Sequence, residues 1–455
     1  MLARRRAWLP ALTHALAALL GITTCSASAA SDLNYVELDE ARAGIRAFQG
    51  RDQKLQDIGW ALARGNAAYC DRIIPSVGLQ LQDIQSYGEP TIARAALGVE
   101  SDFAVQTAAR GSPAAKSGAF TRNREIVSIS GFDPNTLALD PGKRWERVTR
   151  VHDRITEMFA TQDTLTFTFA DGSSETLAPV PICETDFVLI NTKNKRLATG
   201  GFGQVAIGSA VEAFTYDEPV FAGMVAHEFA HSLFRHTRWL RLNKRKQRNK
   251  RATEREADRM MPWLMANAGY DPQAGVVFVE TWLKRYSYGI FRDRAYDAWD
   301  ERAENISAEI AIVRDFVERE GKADWATHFQ RGIDPFMGMS PQDILAENSA
   351  ADAAKATFAA LEERMRAREV RIAVDESALS PDAFAAGERA SSSGALAMSS
   401  HGARAKVSAR LCEMVYITAL WRTTSPLHPA LARACWLSSQ RLSLPTRTRP
   451  SGSSS

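Results

Sequence analysis

His227-Glu228-Phe229-Ala230-His231 constrains this chain more than any other stretch of it. On a helix, histidines four residues apart project from one face, where both rings can bind one metal ion. The glutamate between them lies beside that ion and can take a proton from water. Asp217-Glu218-Pro219 just upstream is helix-start chemistry: acidic residues at the positive end, and proline where a missing N–H costs little. Val220 to Phe234 then has no internal breaker but Gly223, and Phe221, Met224, Val225, Phe229 and Leu233 give it a broad apolar surface. The helix is therefore expected to be buried, and its two imidazoles and one carboxylate need partners there.

Two histidines leave a catalytic metal site one protein ligand short. A third histidine spaced as in HExxHxxGxxH would fall at Thr237, with Phe234 at the glycine position, so that arrangement is absent. His236 misses the spacing by one residue. Thr253-Glu254-Arg255-Glu256-Ala257-Asp258 is a better source, because acids four apart on one helical face can supply a ligand and a carboxylate that orients another ligand. Glu254 is assigned as the ligand and Asp258 as the group that orients His227. Glu256, on a different face from Asp258, is the competing assignment.

Taken together, these motifs resemble the zinc endopeptidases of the CAAX-prenyl-protease and HtpX type. Their pattern of HExxH, then ExxAD, then an Ala-Gly-Tyr-Asp-Pro stretch reads here as His227 to His231, Glu254 to Asp258 and Ala268 to Pro272. The likeness covers roughly residues 185 to 315. It implies one Zn2+ per chain on His227, His231 and Glu254, peptide hydrolysis with Glu228 as the proton shuttle, and polypeptide substrates. It also implies that the glycine-rich run from Ala198 to Gly208, with Val205, Ala206, Ile207 and Gly208 as its strand, borders the cleft and pairs with an extended substrate. Two features depart from the family. Its His-Pro pair is replaced by Tyr296-Asp297-Ala298, where Tyr296 is a candidate donor to the tetrahedral intermediate. Pro262 removes the helix bond to the carbonyl of Asp258 and should kink the second helix.

The chain opens Met1-Leu2-Ala3-Arg4-Arg5-Arg6, runs apolar to about Ile22 and exits through small residues, as a secretory signal peptide does. The expected location is exported and periplasmic, with cleavage near Ala29 or Ala30. Cys25 offers the alternative of a lipid anchor and peripheral membrane association. Processing leaves Cys70, Cys183, Cys412 and Cys435. In an oxidising compartment Cys70 and Cys183 are candidates for a disulfide, two buried thiols being the alternative.

Between those cysteines, Phe103 to Thr107 alternates like a strand, Gly111-Ser112-Pro113-Ala114-Ala115 reads as a turn into a short helix, and Arg124 to Gly131 as another strand. This resembles a bacterial PDZ domain, which binds extended peptides by adding a strand to a sheet edge. Trp145, Val148, Val151, Ile155 and Met158 follow at helical spacing, and Leu165, Phe167 and Phe169 alternate into an Asp171-Gly172 hairpin turn.

The expected fold class is α+β: a mostly helical zincin-type metalloprotease domain with a small edge-strand sheet, plus an inserted or N-terminal PDZ-like β-sandwich domain. The expected organisation is a signal peptide (1–30), an N-terminal helical segment (31–84), the PDZ-like domain (85–180), the metallopeptidase domain (181–330), a C-terminal helical extension (331–375) and a low-complexity tail (376–455). A net charge of +3 gives no reason to expect nucleic acid. The basic run from Arg235 to Arg255 reads as a solvated loop between the two metal-binding helices. The implied partners are polypeptides, misfolded exported proteins among them. A reading from another class keeps the fold as a catalytically inactive, chaperone-like peptide-binding scaffold. A structural zinc site fits poorly, since closed sites prefer four cysteine or histidine ligands.

Overall fold

A computed structural model describes residues 35–283, 285 and 298–378. The signal segment 1–30 with Cys25, Tyr296 with Asp297, and the tail beyond 378 with Cys412 and Cys435 lie outside the described residues. The chain is an α+β mixture. It divides its apolar residues between two main cores, and one helix touches both units.

That helix is α1 (Tyr35–Gly65). Leu55, Ile58 and Leu62 bury its apolar side in the larger core. Gln49, Asp52 and Gln56 are also buried, and at helical spacing they give α1 a polar stripe as well. The stripe is satisfied from both units. Gln49 Nε2 donates to Asn123 Oδ1 at 2.7 Å, Gln106 Nε2 to Asp52 Oδ2 at 2.9 Å, and Gln56 Nε2 to the carbonyl of Phe187 at 2.6 Å. Burial raises the pKa of Asp52, while the amides of Gln106 and Gln56 oppose the shift.

The first unit follows α1. Its elements are β1 (Ile73–Ser76), β2 (Leu79–Asp83), α2 (Pro90–Leu97), β3 (Phe103–Ala108), α3 (Pro113–Ser117), β4 (Ile126–Ile129), α4 (Glu146–Thr161), β5 (Leu165–Phe169), β6 (Ser174–Leu177) and β7 (Val180–Cys183). β2 pairs antiparallel with β3, and β4, β5 and β6 form an antiparallel sheet in that order, joined to the first by a bridge at Ala104 and Glu125. Gly172 takes a φ of 80° in the β5–β6 hairpin, a conformation that suits glycine. Val151, Ile155 and Met158 turn α4 into the same core as Phe103, Phe167 and Phe169. Val77, Leu79 and Leu81 belong to this core too, so the unit begins earlier than residue 85 and the segment 31–84 is not all helical. Their short alternation is too brief to mark a strand before its partner β3 is known. β1 pairs antiparallel with β7, and Cys70 is bonded to Cys183 with Cα atoms 5.6 Å apart.

The second unit holds β8 (Asp186–Ile190), β9 (Ala198–Gly201) and β10 (Gln204–Gly208) in the order β8-β10-β9, with β10 parallel to β8 and antiparallel to β9. α5 (Glu218–Leu233) packs against this sheet and is followed by α6 (His236–Leu242), α7 (Gln247–Asn267), α8 (Gln273–Phe278), α9 (Trp299–Glu320), the one-turn α10 (Trp325–His328) and the long α11 (Pro341–Ala378), which lies against β1 and β7. The run 235–255 is a solvated loop only in part: Lys244, Arg245 and Lys246 are exposed and outside any helix, whereas α6 and the first turns of α7 occupy most of the rest. Arg235 and Arg238 in that run pair with Glu347 of α11, and Arg235 also with Asp71 at 2.6 Å. α7 continues through Pro262 to Asn267 as one helix, because Met260, Trp263 and Leu264 are wholly buried around it and packing outweighs one lost backbone bond. No described helix is long and apolar enough to cross a membrane.

Two outcomes follow from these contacts. Cys70 and Cys183 close a loop of 113 residues. Replacing both with serine should lower unfolding stability by about 2–5 kcal/mol in urea titrations, and reductant should do the same to the parent. The second concerns His152, whose Nε2 accepts the N–H of Leu81 at 3.1 Å and whose pKa burial pushes down to about 4. Because the folded value lies below the ordinary 6.5, its contribution is present above pH 6.5 and lost as pH falls toward 4. His152→Gln, which cannot charge, should flatten the fall in stability across that window; an unchanged slope would refute it.

Candidate metal centre

α5 starts where local chemistry says it should, with Asp217 at its N-cap, Glu218 in the first turn and Pro219 at a position that needs no N–H. From Phe221 onward it is almost wholly buried, His227 and His231 included. α7 packs beside it and brings Glu254 to both rings. His227 Nε2 and His231 Nε2 are 3.2 Å apart, His227 Nε2 lies 3.4 Å from Glu254 Oε2, and His231 Nε2 lies 3.5 Å from Glu254 Oε1. Ligand atoms around a tetrahedral ion with bonds of about 2.0–2.1 Å sit about 3.3 Å from one another. The observed separations, two of them to different oxygens of Glu254, are close to that spacing, and one donor atom from each residue lies within 4.8 Å of the others. His227, His231 and Glu254 could hold a metal ion.

The electrostatics agree with the spacing. Burial works against a charge on His227, yet Asp258 and Glu254 overcome it and push the imidazole pKa up to about 10. Burial would raise the carboxyl of Glu254 in turn, but the neighbouring imidazoles of His231 and His227 hold it well below its ordinary range. A site that binds a proton this firmly is a site of strong negative potential, and a metal ion must displace that proton to enter.

Asp258, one turn beyond Glu254, places Oδ1 3.0 Å from Nδ1 of His227. It is itself gripped from α9: Arg302 Nε donates to Asp258 Oδ2 at 2.6 Å and Arg302 Nη2 to Oδ1 at 2.7 Å. Such a two-pronged charge pair offsets the desolvation of both groups only when its geometry is this close. Glu256 points elsewhere and touches neither HExxH histidine, so the choice between it and Glu254 is decided by the helix face. His236 is likewise outside the donor set; its Nδ1 lies 2.8 Å from Nδ1 of His231, on the far side of that ring.

Glu228 stays partly exposed between the two histidines, and removal from water raises its carboxyl pKa. The imidazoles of His227 and His231 and the N–H of Gly200 pull in the opposite direction. A carboxylate with a raised pKa beside a candidate metal site is better placed to take up a proton than an ordinary one. Gly200 belongs to β9, and a Cβ there would lie 1.7 Å from the carbonyl oxygen of Glu228 and 3.0 Å from Cβ of His231. The strand thus rests on the helix at a distance only glycine permits.

The strand assigned to substrate needs correction. Val205, Ala206, Ile207 and Gly208 form β10, which has β8 on one side and β9 on the other and is buried. Its backbone groups are already paired, so it cannot accept another strand. β8 and β9 are the two edges of this sheet, and of these β9, Ala198–Gly201, is the one that packs against α5. The glycine-rich sequence marks both strands alike; strand order is a tertiary fact. Arg302 was legible only as a charged residue at a helix start.

Comparison with known protein families, curated proteins and solved structures finds no match for this chain. The site rests on its own geometry. Glu254→Gln should leave well under one bound metal equivalent per chain, and Asp258→Asn should weaken the affinity about 10–100-fold, read by competition with a chromophoric chelator. Equal affinities in parent and both variants would refute the donor set.

Proposed function

We propose that this chain is an exported, zinc-dependent endopeptidase whose zincin-type unit works beside a PDZ-like peptide-binding unit. The observation that carries the reading is the convergence of His227 Nε2 and His231 Nε2, 3.2 Å apart, on the Glu254 carboxylate, each nitrogen 3.4–3.5 Å from one of its two oxygens, with Glu228 beside it. Two nitrogens and one carboxylate oxygen suit zinc and leave a fourth position free for reaction. When bound, zinc would supply Lewis acidity toward water and toward the scissile carbonyl. Glu228 takes the proton of the attacking water and passes it to the departing amine nitrogen. Asp258, held by Arg302, keeps His227 aimed.

An extended polypeptide pairing with the open edge of β9 would pass directly over Glu228, since Gly200 lies against that residue's backbone. Backbone pairing tolerates many side chains, which suits polypeptide and misfolded substrates. In the PDZ-like unit β2 pairs with β3 and has its other side toward α4, where His152 accepts the Leu81 N–H. A peptide added there must displace that imidazole. The Cys70–Cys183 bond fits an oxidising compartment and supports export, whether free or lipid-anchored.

Glu228→Gln tests the reading against the inactive scaffold. The purified, zinc-loaded parent should cleave casein, and the variant should lose activity at least about a hundredfold while retaining zinc. Bound zinc with no Glu228-dependent cleavage would favour the scaffold and overturn the protease.

A further inference from the structure

His236 and Glu256 are each about 1% exposed, and the proposed mechanism uses neither. A titratable pair this deep in the core needs a physical reason to be there. Its connections supply one. His236 Nδ1 faces His231 Nδ1 at 2.8 Å, and His236 Nε2 faces Glu256 Oε2 at 2.9 Å. Glu256 then accepts Arg331 Nε at 2.9 Å, Arg331 Nη2 at 2.8 Å and the N–H of Gly332 at 2.7 Å. The Arg331 guanidinium lies 3.8 Å from the centre of the Phe234 ring.

We infer that His236 is a positioning residue for the metal ligand His231, acting as the middle link of a hydrogen-bonded chain from His231 through Glu256 to Arg331. This deepens the metalloprotease reading and rests on it. The chain permits one assignment of protons. A histidine that gives Nε2 to a metal carries its hydrogen on Nδ1, so His231 donates and His236 Nδ1 accepts. His236 must then carry its own hydrogen on Nε2, and that hydrogen meets a carboxylate that can only accept. Five protein hydrogens converge on the two oxygens of Glu256, counting the Ile333 N–H at 3.3 Å. Each link fixes the tautomer and the rotation of the next. The backbone is bent to make this possible: Arg235, between the two helices, has a φ of 52°, which folds His236 back over His231. Bonds from Arg235 to Asp71 and Glu347 hold that turn.

The two ligand histidines are thus supported from the same helix by different means. His227 meets Asp258 directly, whereas His231 reaches Glu256 only through an interposed imidazole. A neutral intermediary passes on orientation while keeping the second carboxylate away from the metal.

Three full-length variants test this. His236→Phe keeps the ring volume and removes the acceptor; His236→Asn keeps an acceptor close to the Nδ1 position; Glu256→Gln keeps the shape and replaces the charge. Zinc affinity should fall about 10–100-fold in His236→Phe, be largely restored in His236→Asn, and fall to a lesser degree in Glu256→Gln. In 15N-labelled zinc-loaded parent, the His231 Nδ1 proton should be a slowly exchanging resonance that disappears in His236→Phe and persists in His236→Asn. Should His236→Phe fail to fold, Glu256→Gln carries the test through the same two readouts. Parental zinc affinity and an unchanged resonance in the folded variants would overturn the chain of positioning while leaving the protease reading intact. A parent that binds no zinc would overturn both.

Discussion

Placing two imidazoles in an apolar helix creates a debt of unsatisfied polarity, and α7 settles it. Glu254, Glu256 and Asp258 sit at alternate positions on that helix, and the pitch sends them to different neighbours. One faces both Nε2 atoms, one faces the back of His227, and one ends the chain that reaches the back of His231. Three acids within little more than one turn would repel one another in a low-dielectric interior. Arg302 and Arg331, brought by segments far along the chain, supply the compensating charge. The relative placement of α5, α7, α9 and the 329–333 segment follows from that balance, because shifting any of them strands a buried charge.

The joint between the two units follows a different logic. An apolar seam would weld them. Here Gln49, Gln82, Gln106 and Asn123 meet through directed amide bonds, and Asp52 accepts from two amides. Directed bonds of this kind define one relative position by geometry rather than by buried area alone. The disulfide and the β1–β7 ladder secure the same joint from its other end. At the surface, Arg110 in the turn after β3 pairs with Glu218, at the start of the HExxH helix, and Tyr270 Oη donates to the same carboxylate at 3.0 Å.

How much of this was readable before any coordinates depends on the range over which each rule acts. Helix periodicity is local, so His227, His231 and Glu254 could be placed on facing surfaces and Asp258 assigned one turn beyond. The aromatic alternation at Leu165, Phe167 and Phe169, ending in Asp171-Gly172, marked a hairpin for the same reason. Val205 to Gly208 went astray because a strand's place in its sheet depends on partners distant in sequence, and no local pattern separates a central strand from an edge. The basic run from Arg235 reads as solvated throughout because the acids that pair with Arg235 and Arg238, Asp71 and Glu347, lie far from it in the chain, while Lys244 to Lys246 do face solvent. His236 falls one residue short of the ligand spacing; that its ring turns back on His231 hangs on one left-handed residue, Arg235, that composition does not flag.

Gly200 illustrates what a missing side chain can accomplish. Because nothing projects from it toward α5, strand and helix meet main chain to main chain, and the gap between them is set by atoms every polypeptide shares. A polypeptide bound along that rim, as the proposed function has it, would be held at a depth fixed by that contact. Under that reading, tolerance for sequence and strictness about depth would arise together, from a single hydrogen standing where a methyl would be.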